Sequence, residues 1–278
     1  MSELTQPPAP HRLLVLGDTH AYRAGMQTAV KRATELGCDT ILSVGDFGYW
    51  PRDGDGQGFL AKTRQALARA GINLYFVEGN HDDIDSLFDD DLPQAGPFRL
   101  VAKPYRRASR GGIYYIPRGA RWDWQGVRFL GVGGAFSIDQ DEQREGFDWF
   151  PRELLSFAEK DAIIVEGGEA DVVVAHDCPA GPLYLNQFAE FPDSTQNREW
   201  LASICASARP LLILHGHYHA FHDTLHHDYG RGLHARVLGL DCVYVDELDR
   251  RSSFLLDLDE FAPTLPSLRL SLYDDRTR

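Results

Sequence analysis

RLLVLGDTH, residues 12–20, sets an apolar run directly against Gly-Asp-x-His, and the same kind of junction recurs at TILSVGD, residues 40–46, and at NLYFVEGNHD, residues 73–82. Near-continuous apolar runs of this length suit strands covered on both faces. Between them lie two helical stretches, Gly25–Gly37 and Gly58–Gly71, each closed by a glycine where the residue after a helix belongs. Strand, helix, strand, helix, strand with short loops predicts a parallel sheet flanked by helices. Two further runs, Ala170–Ala175 (ADVVVA) and Pro210–Leu214 (PLLIL), lead into His176 and into His215-Gly216-His217-Tyr218-His219.

The middle of the chain has a different texture. Ile113–Ile116, Arg121–Trp124 and Val127–Leu130 are short strand-like pieces separated by turn residues, and Leu233–Leu240, Cys242–Val245 and Phe254–Leu258 follow the last histidine cluster. These are expected to form a second, antiparallel-looking sheet packed on the first. The predicted fold class is α/β, a two-sheet β-sandwich flanked by helices in four layers, as a single domain over residues 12–262. Residues 1–11, polar and proline-rich, are expected to be a disordered leader, and residues 263–278 a C-terminal extension.

Composition narrows the partners. The 278 residues carry 41 acids against 28 bases, a net charge of −13, which argues against duplex nucleic acid, whose binding draws on phosphate neutralisation by a basic face. No apolar stretch approaches the roughly 20 residues of a membrane helix, and no secretion signal is evident. Cys38, Cys178, Cys205 and Cys242 are scattered without a CxxC pair, so they read as free thiols of a reducing compartment, and the cytoplasm is the expected location.

Ligand sites in open α/β sheets lie outside the carboxyl ends of the strands. Here five strand ends deliver Asp18 and His20, Asp46, Asn80 with His81, His176, and His217 with His219 to what reads as one edge. Each residue alone is ordinary, since an aspartate after a strand is commonly a helix cap or turn residue. Together they form a set of carboxylate, imidazole and amide oxygens, which suits Mn, Fe or Zn ions rather than soft thiolate-preferring ones. Two such ions about 3.5–4 Å apart, with a carboxylate between them, can clamp a phosphoryl group and activate water. Two aspartates offset only part of the charge of two divalent ions, so the centre attracts an anion.

These blocks resemble those of the calcineurin-like metallophosphoesterase superfamily, D-x-H, G-D, G-N-H-D/E, a lone His and G-H-x-H, over about residues 12–247. The resemblance implies a two-sheet sandwich and a dinuclear centre. By it, Asp18, His20 and His219 would hold one metal, Asn80, His176 and His217 the other, and Asp46 would bridge them. His81 would be the non-ligand histidine that stabilises the transition state or protonates the leaving oxygen. The implied activity is hydrolysis of a phosphodiester or phosphomonoester of a nucleotide or other small molecule, by attack of a metal-bridging hydroxide. The alternatives are a manganese-dependent nuclease acting on single strands and a non-catalytic, protein-binding scaffold of the same fold.

The sequence departs from the protein phosphatases of that superfamily, since Tyr49 stands where they keep an acid paired with the catalytic histidine. Asp82 or Asp83 is left to supply that partner. Tyr49 and Trp50 are expected near the mouth of the site, to stack a nucleobase or to pack as an apolar lid, and Arg23 and Arg52 to bind phosphate oxygens or to be salt-bridged. Gly134–Arg152 is long for a connection and reads as a lid or specificity loop with Arg144 and Trp149 as candidate contacts, or as a plain structural loop, with Pro151 as a helix start. His222, His226 and His227 have a spacing that suits an accessory metal, against a plainer reading as solvated histidines.

Overall fold

Alternate residues of a strand face opposite ways, and RLLVL uses both faces. Leu13 and Val15 join one apolar cluster while Leu14 and Leu16 join another, all with almost no exposure. A strand buried on both sides must lie between two layers, and the computed structural model, which describes residues 7–181, 191–243 and 248–273, has four.

The chain begins as β1 (Arg12–Leu16), α1 (Arg23–Glu35), β2 (Thr40–Ser43), α2 (Gly54–Ala70) and β3 (Asn73–Phe76), the expected alternation. Both helices start earlier than their glycines suggested. Asp53 accepts the Gly56 amide and so caps α2 well ahead of Gly58, while Gly71 ends it in the left-handed region at φ 70°. There follow α3 (Ile84–Leu87), β4 (Gln94–Ala95), β5 (Phe98–Ala102), β6 (Ile113–Tyr115), β7 (Arg121–Trp124), β8 (Val127–Val132), α4 (Phe157–Glu166) and β9 (Val172–Ala175). The rest is α5 (Pro192–Ala208), β10 (Leu212–His215), β11 (His222–Asp228), β12 (Leu233–Gly239), β13 (Ser253–Asp257), α6 (Leu258–Phe261) and α7 (Leu265–Tyr273).

The first sheet has the order β13-β1-β2-β3-β6-β5-β4 and the second β11-β12-β10-β9-β8-β7. The interior of each is parallel and each ends in antiparallel strands. The sheets pack through Leu13, Val15, Leu42, Tyr75 and Val77 against Val172, Val174, Leu214 and the aromatics Trp122, Trp124 and Phe129. On the outer faces α1 and α2 cover the first sheet and α4 and α5 the second.

Sheet membership differs from the sequence reading at β6 and β13, and also at β9 and β10, which lie in the second sheet. Ile113–Ile116 does not join the second sheet, because β6 pairs parallel with β3 and receives the β4–β5 hairpin on its other side. Phe254–Leu258 closes the first sheet instead, with β13 antiparallel to β1 and the Arg12 guanidinium on Asp257. The expected strand Cys242–Val245 lies partly outside the described residues. Pro151–Glu153 makes only a 3-10 turn, and α4 starts later, where Ser156 and Glu159 form a reciprocal capping box. Residues 265–273 form a helix packed on the second sheet, where the Tyr273 hydroxyl donates to the Pro210 carbonyl at 2.8 Å and Arg269 meets Asp171 at 2.7 Å. Among the described residues no helix is long and apolar enough to cross a membrane.

Candidate metal centre

The predicted ligands come from two sheets rather than one. β1, β2 and β3 deliver Asp18 and His20, Asp46, and Asn80, while β9 and β10 deliver His176, and His217 with His219, across the sandwich. The backbone is strained where they sit. His20 (φ 43°), Asp46 (φ 45°), His217 (φ 69°) and His219 (φ 48°) all occupy the left-handed region that residues with a Cβ avoid. Such outliers cost of order 1–3 kcal/mol each and persist where surrounding structure imposes them. Here the loops interlock, for the amides of Thr19 and His20 both donate to the Asp46 carbonyl, at 3.0 and 2.8 Å.

Two carboxylates form the middle. Asp18 and Asp46 are essentially inaccessible, and backbone amides fix them: His81 N–H donates to Asp46 Oδ1 at 2.7 Å and His217 N–H to both Asp18 oxygens at 3.0 and 3.2 Å. The imidazoles arrange around them. His219 Nε2 lies 3.2 Å from Asp18 Oδ2 and 3.0 Å from His20 Nε2, and His20 Nε2 lies 3.8 Å from Asp46 Oδ2. On the other side His176 Nε2 faces Asp46 Oδ2 at 3.3 Å and Asn80 Oδ1 at 3.1 Å. His176 Nδ1 is spent on the Val44 carbonyl at 2.9 Å, which fixes the tautomer and leaves Nε2 as the coordinating atom. The His217 ring lies 5.1 Å from that of His176.

The donor atoms fit metal ions. Asp18, His20 and His219 offer ligand atoms within 4.8 Å of one another, and so do Asp18, Asp46 and His176. The field is that of an anionic pocket. Burial opposes charge on His176, yet Asp46 and Asp18 override it and raise its pKa to about 10. The carboxyl of Asp46 is correspondingly held well below the ordinary range by His176, His81 and His20, against its own burial. The hydrogen bond to Asp18 raises His219, whereas burial lowers His20 and His217. Divalent cations answer the same field as the protons on these rings, and must displace them.

Glycines make room for the acids. A Cβ on Gly79 would overlap the Asp46 carboxylate, and one on Gly45, at φ 109°, would overlap the His176 ring. Residues of no obvious signal hold the donors from behind. Asn80 Nδ2 donates to Ser137 Oγ at 3.1 Å, and Ser137 Oγ donates to Glu153 at 2.7 Å, so this pair turns the Asn80 oxygen toward the centre. Asp177 binds the Tyr218 hydroxyl at 2.5 Å and Asn197 at 2.8 Å, tying the His176 loop to the loop carrying His217 and His219.

Glu153 yields a pH prediction. Burial raises its carboxyl from 4.5 to about 7, against the hydrogen bonds from Ser137. A folded-state pKa above the unfolded one means its contribution to stability is full below about pH 4.5 and is lost as pH rises through about 7. Chelator-treated protein should lose about 1 kcal/mol from this group between pH 6 and pH 8 in urea unfolding. Glu153→Gln should flatten that slope; a variant as steep as the wild type would assign the pH dependence to other groups.

The residues expected around the mouth divide. Neither acid beside His81 is free to pair with it: Asp82 accepts the amides of Gly48, Tyr49 and Gly79 at 2.7–2.9 Å, and Asp83 takes Arg52 at 2.5 and 2.6 Å. The His81 ring stands 5.4 Å from that of His20. Arg52 is therefore salt-bridged, and it lies over Phe150. Arg23 turns away to the Asp55 carbonyl at the start of α2. Tyr49 is not at the mouth, since it is buried against Phe76. Trp50 is half-buried and its Nε1 donates to the His81 carbonyl at 3.1 Å. Trp50, Arg52, Asp53, Arg144, Phe147 and Asp148 line an open cleft of about 620 Å³, whereas the Trp149 carbonyl closes a turn onto Gly146. His222, His226 and His227 do not gather: His222 meets His215, His227 on the opposite face meets His234, and His226, a full four residues along the strand from His222, lies against Gly181.

The fold is similar to that of the TT1561 protein of Thermus thermophilus, at a TM-score of 0.50 and 14% identity, over 90% of this chain and 96% of that one. A dimetal phosphatase from Danio rerio also aligns, at a TM-score of 0.46 and 13% identity, over 85% and 88% of the two chains. No curated protein matches the chain in sequence. The profile of the calcineurin-like phosphoesterases matches residues 11–221, from β1 through the last histidine loop, and the chain belongs to that family.

Proposed function

We propose that this chain hydrolyses a phosphoester of a small molecule, a nucleotide or a similar aromatic phosphate, with the help of two divalent ions. The observation that carries this reading is the convergence of two inaccessible aspartates, an asparagine and four histidines, with four of those seven on left-handed backbone. Asp18, His20 and His219 would hold one ion and Asn80, His176 and His217 the other, with Asp46 between them. Such a pair supplies charge neutralisation on the phosphoryl oxygens and a water acidified to near neutral pH.

The chain's own residues supply the rest. His81 has its amide tied to Asp46 and its carbonyl to Trp50, so its imidazole is presented at a fixed place beside His20. From there its ring nitrogen would pass a proton to the departing oxygen. Trp50 joins the centre to the cleft, in which Phe147, a residue 69% exposed, offers the aromatic face opposite the Arg144 guanidinium. Asp83 and Asp148 pair with the two arginines of that cleft, which suits an uncharged base better than a run of phosphates and favours a small substrate over a nucleic-acid strand. Buried free thiols fit a reducing compartment.

The test is a panel of phosphomonoesters, cyclic and linear nucleotides and single-stranded DNA, assayed with Mn²⁺. Turnover of a nucleotide or aryl phosphoester supports the proposal; hydrolysis of DNA alone, or of nothing, contradicts it. Phe147→Ala should raise KM for the preferred aromatic substrate about tenfold, within the range of one lost base stack, with kcat unchanged. An unchanged KM would remove the cleft from substrate binding.

A further inference from the structure

His215 and His222 bracket the loop that carries His217 and His219, and their Nε2 atoms meet at 3.1 Å. Cys178 stands beside them, two residues past His176, on the other ligand-bearing loop. The thiol sulfur and the two ring nitrogens lie within 4.8 Å of one another, and all three residues are buried. The dinuclear centre uses none of them. His215 Nδ1 is occupied by the Gly216 carbonyl at 2.9 Å, so its Nε2 is turned to the cluster, as in a histidine oriented for a metal.

We propose that Cys178, His215 and His222 form a second, separate metal site for one thiophilic closed-shell ion, Zn²⁺ or Cu⁺. Two nitrogens 3.1 Å apart subtend about 100° at an ion with bonds of about 2.05 Å, close to tetrahedral. Tetrahedral nitrogen and sulfur ligands stand about 3.6 Å apart, so closing the sulfur onto the ion needs little more than about 1 Å of movement. Thiolate and imidazole together select soft ions, in contrast to the oxygen-rich neighbouring centre. On binding, the His222 proton held between the two rings shifts from Nε2 to Nδ1, the S–H bond breaks, the sulfur–metal bond forms and one proton leaves to solvent. Of the three, His222 is the most exposed, at 8%, and it begins the edge strand β11, which gives an entry side. The ion would staple the loop after β9 to both ends of the loop after β10, fixing the histidines of the dinuclear centre from outside it.

The experiment is anaerobic titration of the chelator-treated full chain with Co²⁺, followed by near-ultraviolet absorption. A thiolate-to-cobalt charge-transfer band reports sulfur ligation alone, and the dinuclear ligands contain no sulfur. The band should rise to a plateau in the wild type and be absent in Cys178→Ser. It should require at least about 100-fold more Co²⁺ in His222→Ala, a loss no smaller than that of an outer-shell partner. It should persist in Asp18→Asn, which disables the dinuclear centre, so failure of either site is seen separately. Bleaching of the band by Zn²⁺ or by Cu⁺ identifies the preferred ion. No band in natively folded protein, or a band that survives Cys178→Ser, overturns the proposal.

Discussion

Asp46→Asn should abolish phosphoester hydrolysis, by roughly three orders of magnitude or more, while leaving the fold intact. On the proposed roles Asp46 is the one carboxylate shared by both ions, so its charge offsets their mutual repulsion and sets their spacing. The amide keeps Oδ1 to accept the His81 N–H at 2.7 Å, so the loop after β2 retains its tether. What is lost lies at Oδ2, which faces His176 at 3.3 Å and His20 at 3.8 Å. An NH₂ there is a donor without charge. A mixed chromogenic assay of a phosphodiester and a monoester, with circular dichroism and metal analysis on the same preparation, reads the effect. A folded, metal-loaded variant with wild-type turnover on every substrate would refute the bridging role.

Gly45→Ala should be nearly as damaging by a different route. Gly45 precedes Asp46 at φ 109°, and its missing Cβ is the space occupied by the His176 ring. Alanine therefore meets both a disfavoured backbone and a collision. The strain is of order 1–3 kcal/mol, with a further 1–3 kcal/mol or so for overpacking. The ring is anchored on the Val44 carbonyl and hemmed in by Asn80, so relief must come from displacing a predicted ligand. The expected result is at least about a 100-fold loss of activity, with a urea midpoint well below that of the wild type. A variant that keeps both would mean that the β2 loop is more pliant than its hydrogen bonds imply.

The core of the fold was legible because β1, β2, β3, β9 and β10 are apolar on both faces and end on ligand-type residues. Chemistry at five strand ends is a pattern that helix caps and turns do not produce in concert. Sheet membership was less legible. Three residues, Ile-Tyr-Tyr in β6, suit either sheet, and only the chain's path through β4 and β5 decides. β13 is likewise placed by a partner, β1, that lies at the far end of the sequence.

Around the site the same divide holds. Tyr49 and Trp50 are neighbours of identical character in sequence, but successive side chains part company, one into the core on Phe76 and the other toward His81. Ser137 and Glu153 left no signal, since a loop serine and a loop glutamate acquire meaning only when tertiary structure brings them behind Asn80. Arg23, which takes the salt-bridged alternative on Asp55, shows that closeness in sequence to a ligand block does not fix where a long side chain reaches.

The central claim is that these side chains surround a pair of metal ions. Crystals grown with excess Mn²⁺ and measured at the manganese absorption edge test it most directly. Two anomalous peaks about 3.5–4 Å apart are expected, one among Asp18, His20 and His219, the other among Asn80, His176 and His217, with Asp46 touching both. A map with no manganese peak among those residues would contradict it.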